Sequence, residues 1–274
     1  MRDDRPLVDV TPEPGVAKPD PILVVDSVKR AFGGVKAVDV DHLEVQRGTI
    51  TSLIGPNGAG KTTLFNVLSG FDRPDAGTWH LDGGPLVGIP SFRIARKGMV
   101  RTFQLTRSLA RLTVLENMLV GAKGHPGESF WGALFGNWRS TETANEARAT
   151  ELLSHFGLES MADQYAGSLS GGQRKLLEMA RALMVDPELV MLDEPMAGVN
   201  PALTQSLLRH ITALRDQGRT VVFIEHDMDV VQEISDWVVV MSQGRVIAEG
   251  PPARIAADPE VIDAYLGRHH GEPA

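Results

Sequence analysis

The chain has 274 residues, enough to bury a full core as one large α/β domain or two small ones. Its formal net charge of −8 argues against a broad nucleic-acid footprint, which requires a basic face. It contains no cysteine, which excludes disulfides, thiolate zinc sites, iron–sulfur clusters and cysteine nucleophiles.

Met1 to Pro21 carries Pro6, Pro12, Pro14, Pro19 and Pro21 among charges and no apolar signal core, and reads as a disordered leader. No apolar run anywhere approaches the ~20 residues of a membrane-spanning helix, and no repeat at a solenoid period is visible. Ile22 to Ala31 and Ala37 to Gln46 alternate apolar and polar residues as strands do, separated by Phe32-Gly33-Gly34. If this small sheet folds over the loop that follows, Phe32 can stack on a purine ring. An ordinary core phenylalanine is the other reading. Gln46-Arg47-Gly48 then turns the chain into a strand, Ile50 to Ile54.

That strand runs into GPNGAGKTT, Gly55 to Thr63, and an apolar run from Leu64 to Leu68 follows. Strand, glycine loop and helix in that order fit G-x-x-x-x-G-K-[ST] at Gly55, Gly60, Lys61 and Thr62. The loop Gly55-Pro56-Asn57-Gly58-Ala59-Gly60 must wrap a polyphosphate closely enough for backbone N–H groups to reach its oxygens. The helix from Lys61 points its positive end at the anion. Lys61 adds a full charge, and the Thr62 hydroxyl, next to Thr63, can bind Mg²⁺.

The helix ends at Gly70, and Gly77 to Leu86 reads as a hairpin about Asp82-Gly83. A short helix, Ser91 to Lys97, precedes a strand from Met99 to Phe103 with Gln104 at its end. Gln104 there can reach Mg²⁺ or an attacking water, or simply close the strand. From Leu105 to about Tyr165 strand patterning stops. Thr113 and Glu116 form a capping box for a helix to about Ala122, and Thr141 to Phe156 is helical up to Gly157. Between them Phe130, Trp131, Phe135 and Trp138 form either the core of a local helical hairpin or a docking surface. The segment from about 105 to 174 thus reads as a helical insertion in an α/β protein.

Leu169-Ser170-Gly171-Gly172-Gln173 opens a helix from Arg174 to Met184, with Ser170 as N-cap and two glycines baring the backbone, a second phosphate nest. Leu189 to Leu192 is an apolar strand ending in Asp193-Glu194-Pro195. Neighbours on a strand point to opposite sides, so Asp193 can hold Mg²⁺ through its water shell while Glu194 deprotonates the attacking water. A helix from Ala202 to Arg215 and a strand from Val221 to Ile224 follow. His226 lies just past that strand's carboxyl end, where a γ-phosphate contact is the reading its placement favours. Trp237 to Met241, a Gln243-Gly244 turn and Arg245 to Ala248 form a closing hairpin, and Ile255 to Leu266 a last helix. His269-His270 belongs to a flexible end, 268–274.

With these residues placed, the chain resembles the ATP-binding subunit of ABC transporters from about residue 22 to 267. GPNGAGKTT matches Walker A, LSGGQ at 169–173 the signature, LVMLDEP at 189–195 Walker B with its catalytic acid, Gln104 the Q-loop and His226 the switch histidine. Phe32 falls where that family's adenine-stacking aromatic sits. The branched-chain amino acid importer ATPases are the nearest subgroup, through FGGVKAV at 32–38, RTFQ at 101–104, the long insertion, PMAGVNP at 195–201 and IDAYLG at 262–267. The full LSGGQ departs from that subgroup's frequently degenerate signature. Asn200, where ABC ATPases generally carry Asp, is shared with the subgroup.

The resemblance implies a P-loop NTPase core of mainly parallel sheet flanked by helices, an antiparallel β subdomain and an inserted α-helical subdomain. It implies ATP and Mg²⁺, and a second ATPase chain, identical or related, meeting this one head to tail, so that Walker A of one faces Ser170, Gly171, Gly172 and Gln173 of the other. It further implies two membrane permease subunits docking near Gln104 and Leu105 to Arg111, indirectly a substrate-binding protein, and a peripheral place on the cytoplasmic face of the membrane. Urea, short amides and exported lipids are the alternative cargoes. An ABC-type ATPase acting on DNA or ribosomes fits less well: long coiled coils and a second ATPase unit are absent, and the chain is acidic. Glu194 and His226 argue against a module that binds nucleotide without turnover.

Overall fold

The computed structural model describes residues 7–102, 109–122 and 138–266. Its strands are β1 Pro21–Phe32, β2 Val35–Gln46, β3 Ile50–Ile54, β4 Ala76–Leu81, β5 Gly84–Pro85, β6 Met99–Arg101, β7 Leu189–Asp193, β8 Thr220–Ile224, β9 Trp237–Ser242 and β10 Arg245–Gly250. The helices are α1 Lys61–Leu68, α2 Ser91–Arg96, α3 Val114–Val120, α4 Trp138–His155, α5 Gly171–Leu183, α6 Pro201–Asp216, α7 Met228–Ile234, α8 Pro252–Ala256 and α9 Pro259–Leu266. Among the described residues no helix is long and apolar enough to cross a membrane.

Two sheets form. The antiparallel sheet has the order β2-β1-β4-β5, and the six-stranded sheet the order β10-β9-β3-β8-β7-β6. Within the larger sheet β9, β3, β8, β7 and β6 run parallel, and only β10 is antiparallel, to β9. Every residue of β3, β7 and β8 is buried, the pattern of strands covered on both faces. The predicted two-residue turns occur, with positive φ at both positions: Gly33 and Gly34, Asp82 and Gly83, Gln243 and Gly244. Such turns match the twist of the strands they join.

By compactness the chain divides into two units. One comprises Met1–Arg101, Glu188–Pro195 and Ile211–Ala274, the other Thr102–Pro187 and Met196–His210. The first holds both sheets and a core in which Val25, Val38, Leu64, Phe65, Trp79 and Ile224 meet. In the second, both hydrogen bonds of the predicted capping box form: the Thr113 hydroxyl accepts from the Glu116 N–H at 3.1 Å, and the Glu116 carboxylate accepts from the Thr113 N–H at 2.7 Å. Buried Asn117 on α3 pins the preceding turn, donating to the Leu109 and Thr113 carbonyls and accepting from the Leu109 N–H.

Two expectations need correction, and one helix was not anticipated. The proline-rich start is ordered from residue 7 to residue 20. Leu7 is buried, and the Lys18 ammonium donates at 2.7 Å to Glu249 on β10, with both side chains almost fully buried. The other Glu249 oxygen accepts from the Gly15 N–H at 2.5 Å, and Trp237 Nε1 donates to the first at 2.8 Å. Disorder was inferred from local composition, whereas a partner more than 200 residues away decides it. The single last helix is instead two, α8 and α9, broken where Pro259 follows Asp258. The unpredicted α7 is a seven-residue helix capped by Asp227, whose carboxylate accepts from the Asp229 and Val230 N–H groups. The aromatic segment through Phe130, Trp131 and Phe135, and the tail 268–274, lie outside the described residues.

Candidate functional site

The parallel strands all end at one edge of the larger sheet, where ligands of such sheets bind. From β3 the chain enters the glycine loop. Gly55, Gly58 and Gly60 have φ of 144°, 78° and 100°, left-handed values that favour glycine. A Cβ on Gly55 would lie 2.0 Å from the Met241 carbonyl oxygen of β9, and one on Gly60 2.1 Å from that of Ala37 on β2. Two of the glycines are therefore demanded by backbone packing as well as by access to an anion. The Gly244 N–H of the β9–β10 turn donates to the Ala59 carbonyl at 2.9 Å and ties the loop to that turn.

Lys61, the first residue of α1, is buried, and its ammonium donates to the Gly55 and Pro56 carbonyls at 2.6 and 3.0 Å. It is folded across the loop it would share with a phosphate. Thr62 and the loop's Asn57 and Gly58 are exposed, and α1 carries no acid in its first turn to compete with an anion.

Two strands along, β7 ends at Asp193, in register with Ile224 of β8, which is itself in register with Leu53 of β3. Asp193 is buried. One carboxylate oxygen accepts from Arg101 Nη2 at 2.7 Å. The other, Oδ1, finds no hydrogen-bond partner among the described residues. Magnesium fits this donor set: a buried carboxylate oxygen without a partner, and an exposed hydroxyl at Thr62. Glu194 has φ of 46°, sparsely populated for a residue with a Cβ, and is held there by its N–H donating to the Ile224 carbonyl at 3.1 Å. Beyond β8, Glu225 is buried and His226 carries a side chain 66% exposed.

Phe32 is 49% exposed, and the Arg30 guanidinium lies 4.4 Å from its ring centroid. It is therefore not a core residue. Gln104 lies outside the described residues; the chain is described to Thr102, one residue past β6.

The second unit carries the other glycine pair. Ser170 caps α5: its hydroxyl accepts from the Gln173 N–H at 3.3 Å, and the Gln173 side chain accepts from the Ser170 N–H at 2.9 Å. A Cβ on Gly171 would meet nothing within 4 Å, whereas one on Gly172 would strike Leu203 of α6. Gly171 keeps the helix start open, and a side chain at Gly172 would displace Leu203.

A family model described as "ABC transporter" matches residues 38–197, more than half of the chain. The chain belongs to the ABC transporter family. Within it this is the ATP-binding, ATP-hydrolysing cassette. A second model, described as "Branched-chain amino acid ATP-binding cassette transporter", matches residues 245–271, covering β10, α8 and α9. The high-affinity branched-chain amino acid transport ATP-binding protein BraF of Pseudomonas aeruginosa is 44% identical over 250 residues, 90% of this chain and 98% of that protein. The probable branched-chain amino acid transport ATP-binding protein LivG of Archaeoglobus fulgidus is 41% identical over 251 residues, 92% of this chain and 97% of that one. A crystal structure of a nucleotide-free cassette from an ABC transporter superposes with a TM-score of 0.79 at 36% identity, covering 92% of this chain and all of that one.

Sequence reasoning gave Arg101 no role, although RTFQ was singled out. The available signal was a cation ending a short strand beside a strand that ends in an acid.

Proposed function

We propose that this cassette powers import of branched-chain amino acids through separate permease subunits, bound peripherally at the cytoplasmic face of the membrane. The observation that carries the cargo is the match of residues 245–271 to a branched-chain cassette model, together with relatives of that name covering nine-tenths of the chain. The site supports ATP hydrolysis. The loop 55–60 and the start of α1 wrap the phosphates, Lys61 exchanges its loop carbonyls for them, and Phe32 stacks on adenine. Thr62, Gln104 and Asp193 would hold Mg²⁺, which would neutralise charge on the phosphates. Glu194 takes the proton of the attacking water, and His226 contacts the γ-phosphate. Because Ser170 to Gln173 form a second nest, two chains would meet head to tail, each covering the other's nucleotide. A substrate-binding protein would deliver the amino acid outside.

Co-purified cassette, permeases and binding protein in liposomes test this. ATPase turnover should rise several-fold with leucine, isoleucine or valine. Stimulation by urea or a short amide, and not by these three, would reassign the cargo.

A further inference from the structure

Arg101 does more than neutralise Asp193. While Nη2 donates to Asp193 Oδ2, Nη1 donates to Asn66 Oδ1 at 2.6 Å and to Ser69 Oγ at 3.3 Å. Ser69 spends its own proton on the Phe65 carbonyl, so its oxygen is available to accept. The guanidinium also lies 5.6 Å from the Phe65 ring centroid. Asn66, Ser69 and Phe65 stand on or at the end of α1, the helix that opens with Lys61 and Thr62. The Arg101 and Asp193 side chains are 4% and 2% exposed.

We propose that Arg101 is a positioning residue that presets Asp193 for a divalent cation and so sets the Mg²⁺ affinity of the nucleotide site; this rests on the ATP-site reading above. The division of its hydrogen bonds is decisive. Arginine–carboxylate pairs are frequently bidentate, a parallel fork on both oxygens. Here one oxygen is tied and the second amino group is spent on α1, and Oδ1 has no hydrogen-bond partner among the described residues. The planar fork fixes the carboxylate rotation and spans from the strand end to the helix bearing Thr62, the two elements whose donors a metal needs. A mere placeholder on Asp193 would have the opposite effect: as a competing cation it would weaken Mg²⁺ binding, and its removal would strengthen it.

The test uses purified full-length protein and a fluorescent ATP analogue, titrated first in EDTA and then against Mg²⁺, with Mn²⁺ binding followed by EPR. Arg101→Met should leave metal-free nucleotide affinity within about 2-fold and raise half-saturating Mg²⁺ roughly 10-fold or more, the usual scale for a residue that orients a metal ligand. Arg101→Lys should recover part of the loss. Asn66→Leu, which removes the shortest tie to α1, keeps the one to Ser69 and spares the ion pair, should shift Mg²⁺ in the same direction by a few-fold. If Arg101→Met does not fold, these two variants carry the test. Unchanged or lowered half-saturating Mg²⁺ with normal binding in EDTA overturns the role of Arg101 alone. No nucleotide binding by the wild-type chain removes the ATP-site reading, and this proposal with it.

Discussion

Glu194, the proposed general base, sits in a backbone conformation that its side chain does not favour. With φ at 46° and its N–H fixed to the Ile224 carbonyl, it is locked by its neighbours into the turn after β7. Glu194→Gln keeps the shape and removes the base, so ATPase turnover should fall by roughly 10²- to 10⁴-fold while nucleotide binding holds within a few-fold. Turnover within a few-fold of wild type would refute its role as base. A second residue gives a pH signature. Burial, then the charges of His155 and Arg209, holds the His210 imidazole down from its usual 6.5 to about 4. Its ring stacks 4.4 Å from that of Phe156. The unfolded chain takes up this proton near 6.5 and the folded chain only near 4, so its contribution to stability is complete above 6.5 and lost as pH falls towards 4. Calorimetric Tm should drop across that window in wild type and less steeply in His210→Gln; parallel curves would contradict the assignment. Residues differed in how readable they were. The glycine loop was legible because one spacing carries a whole chemistry. Phe32 was ambiguous until its exposure was known, and Arg101 was invisible because its meaning lies in Asn66, Ser69 and Asp193, all distant in sequence.

At the scale of elements, patterning and caps placed most of the fold: β3, β7 and β8 from apolar runs, three turns from their glycines, α3 from its capping box and α5 from its N-cap Ser170. The failures share a cause. The stretch from residue 7 to residue 20 has the composition of a disordered segment, yet Lys18 is drawn into the core by Glu249 on β10 and lies 4.7 Å from the Trp237 ring centroid. Long-range pairing overrides local composition, and no local pattern encodes it. Lys18→Met should therefore destabilise the chain by about 3–5 kcal/mol in urea unfolding, since it strands a buried carboxylate, and Lys18→Met with Glu249→Gln by less than the sum of the single changes. A loss below about 1 kcal/mol would mean that the strap is held by its apolar contacts, such as Leu7, instead.

The whole molecule presents two glycine-bared helix starts, one at Lys61 in the sheet-bearing unit and one at Ser170 in the other. In the proposed head-to-tail pair both would meet a nucleotide. Ser170→Arg projects a long cation from the second nest, so it should leave nucleotide binding by the monomer intact and abolish ATP-dependent dimers in gel filtration of the Glu194→Gln background. Normal dimers would refute that arrangement. At this scale the sequence order of motifs was enough to indicate the family, but cargo and partners leave no mark on residues that touch only ATP. The most direct test of the whole account is a crystal structure of the chain with a non-hydrolysable ATP analogue and Mg²⁺. The γ-phosphate should be held by Lys61 within reach of Glu194 and His226; a γ-phosphate far from both would contradict the proposed mechanism.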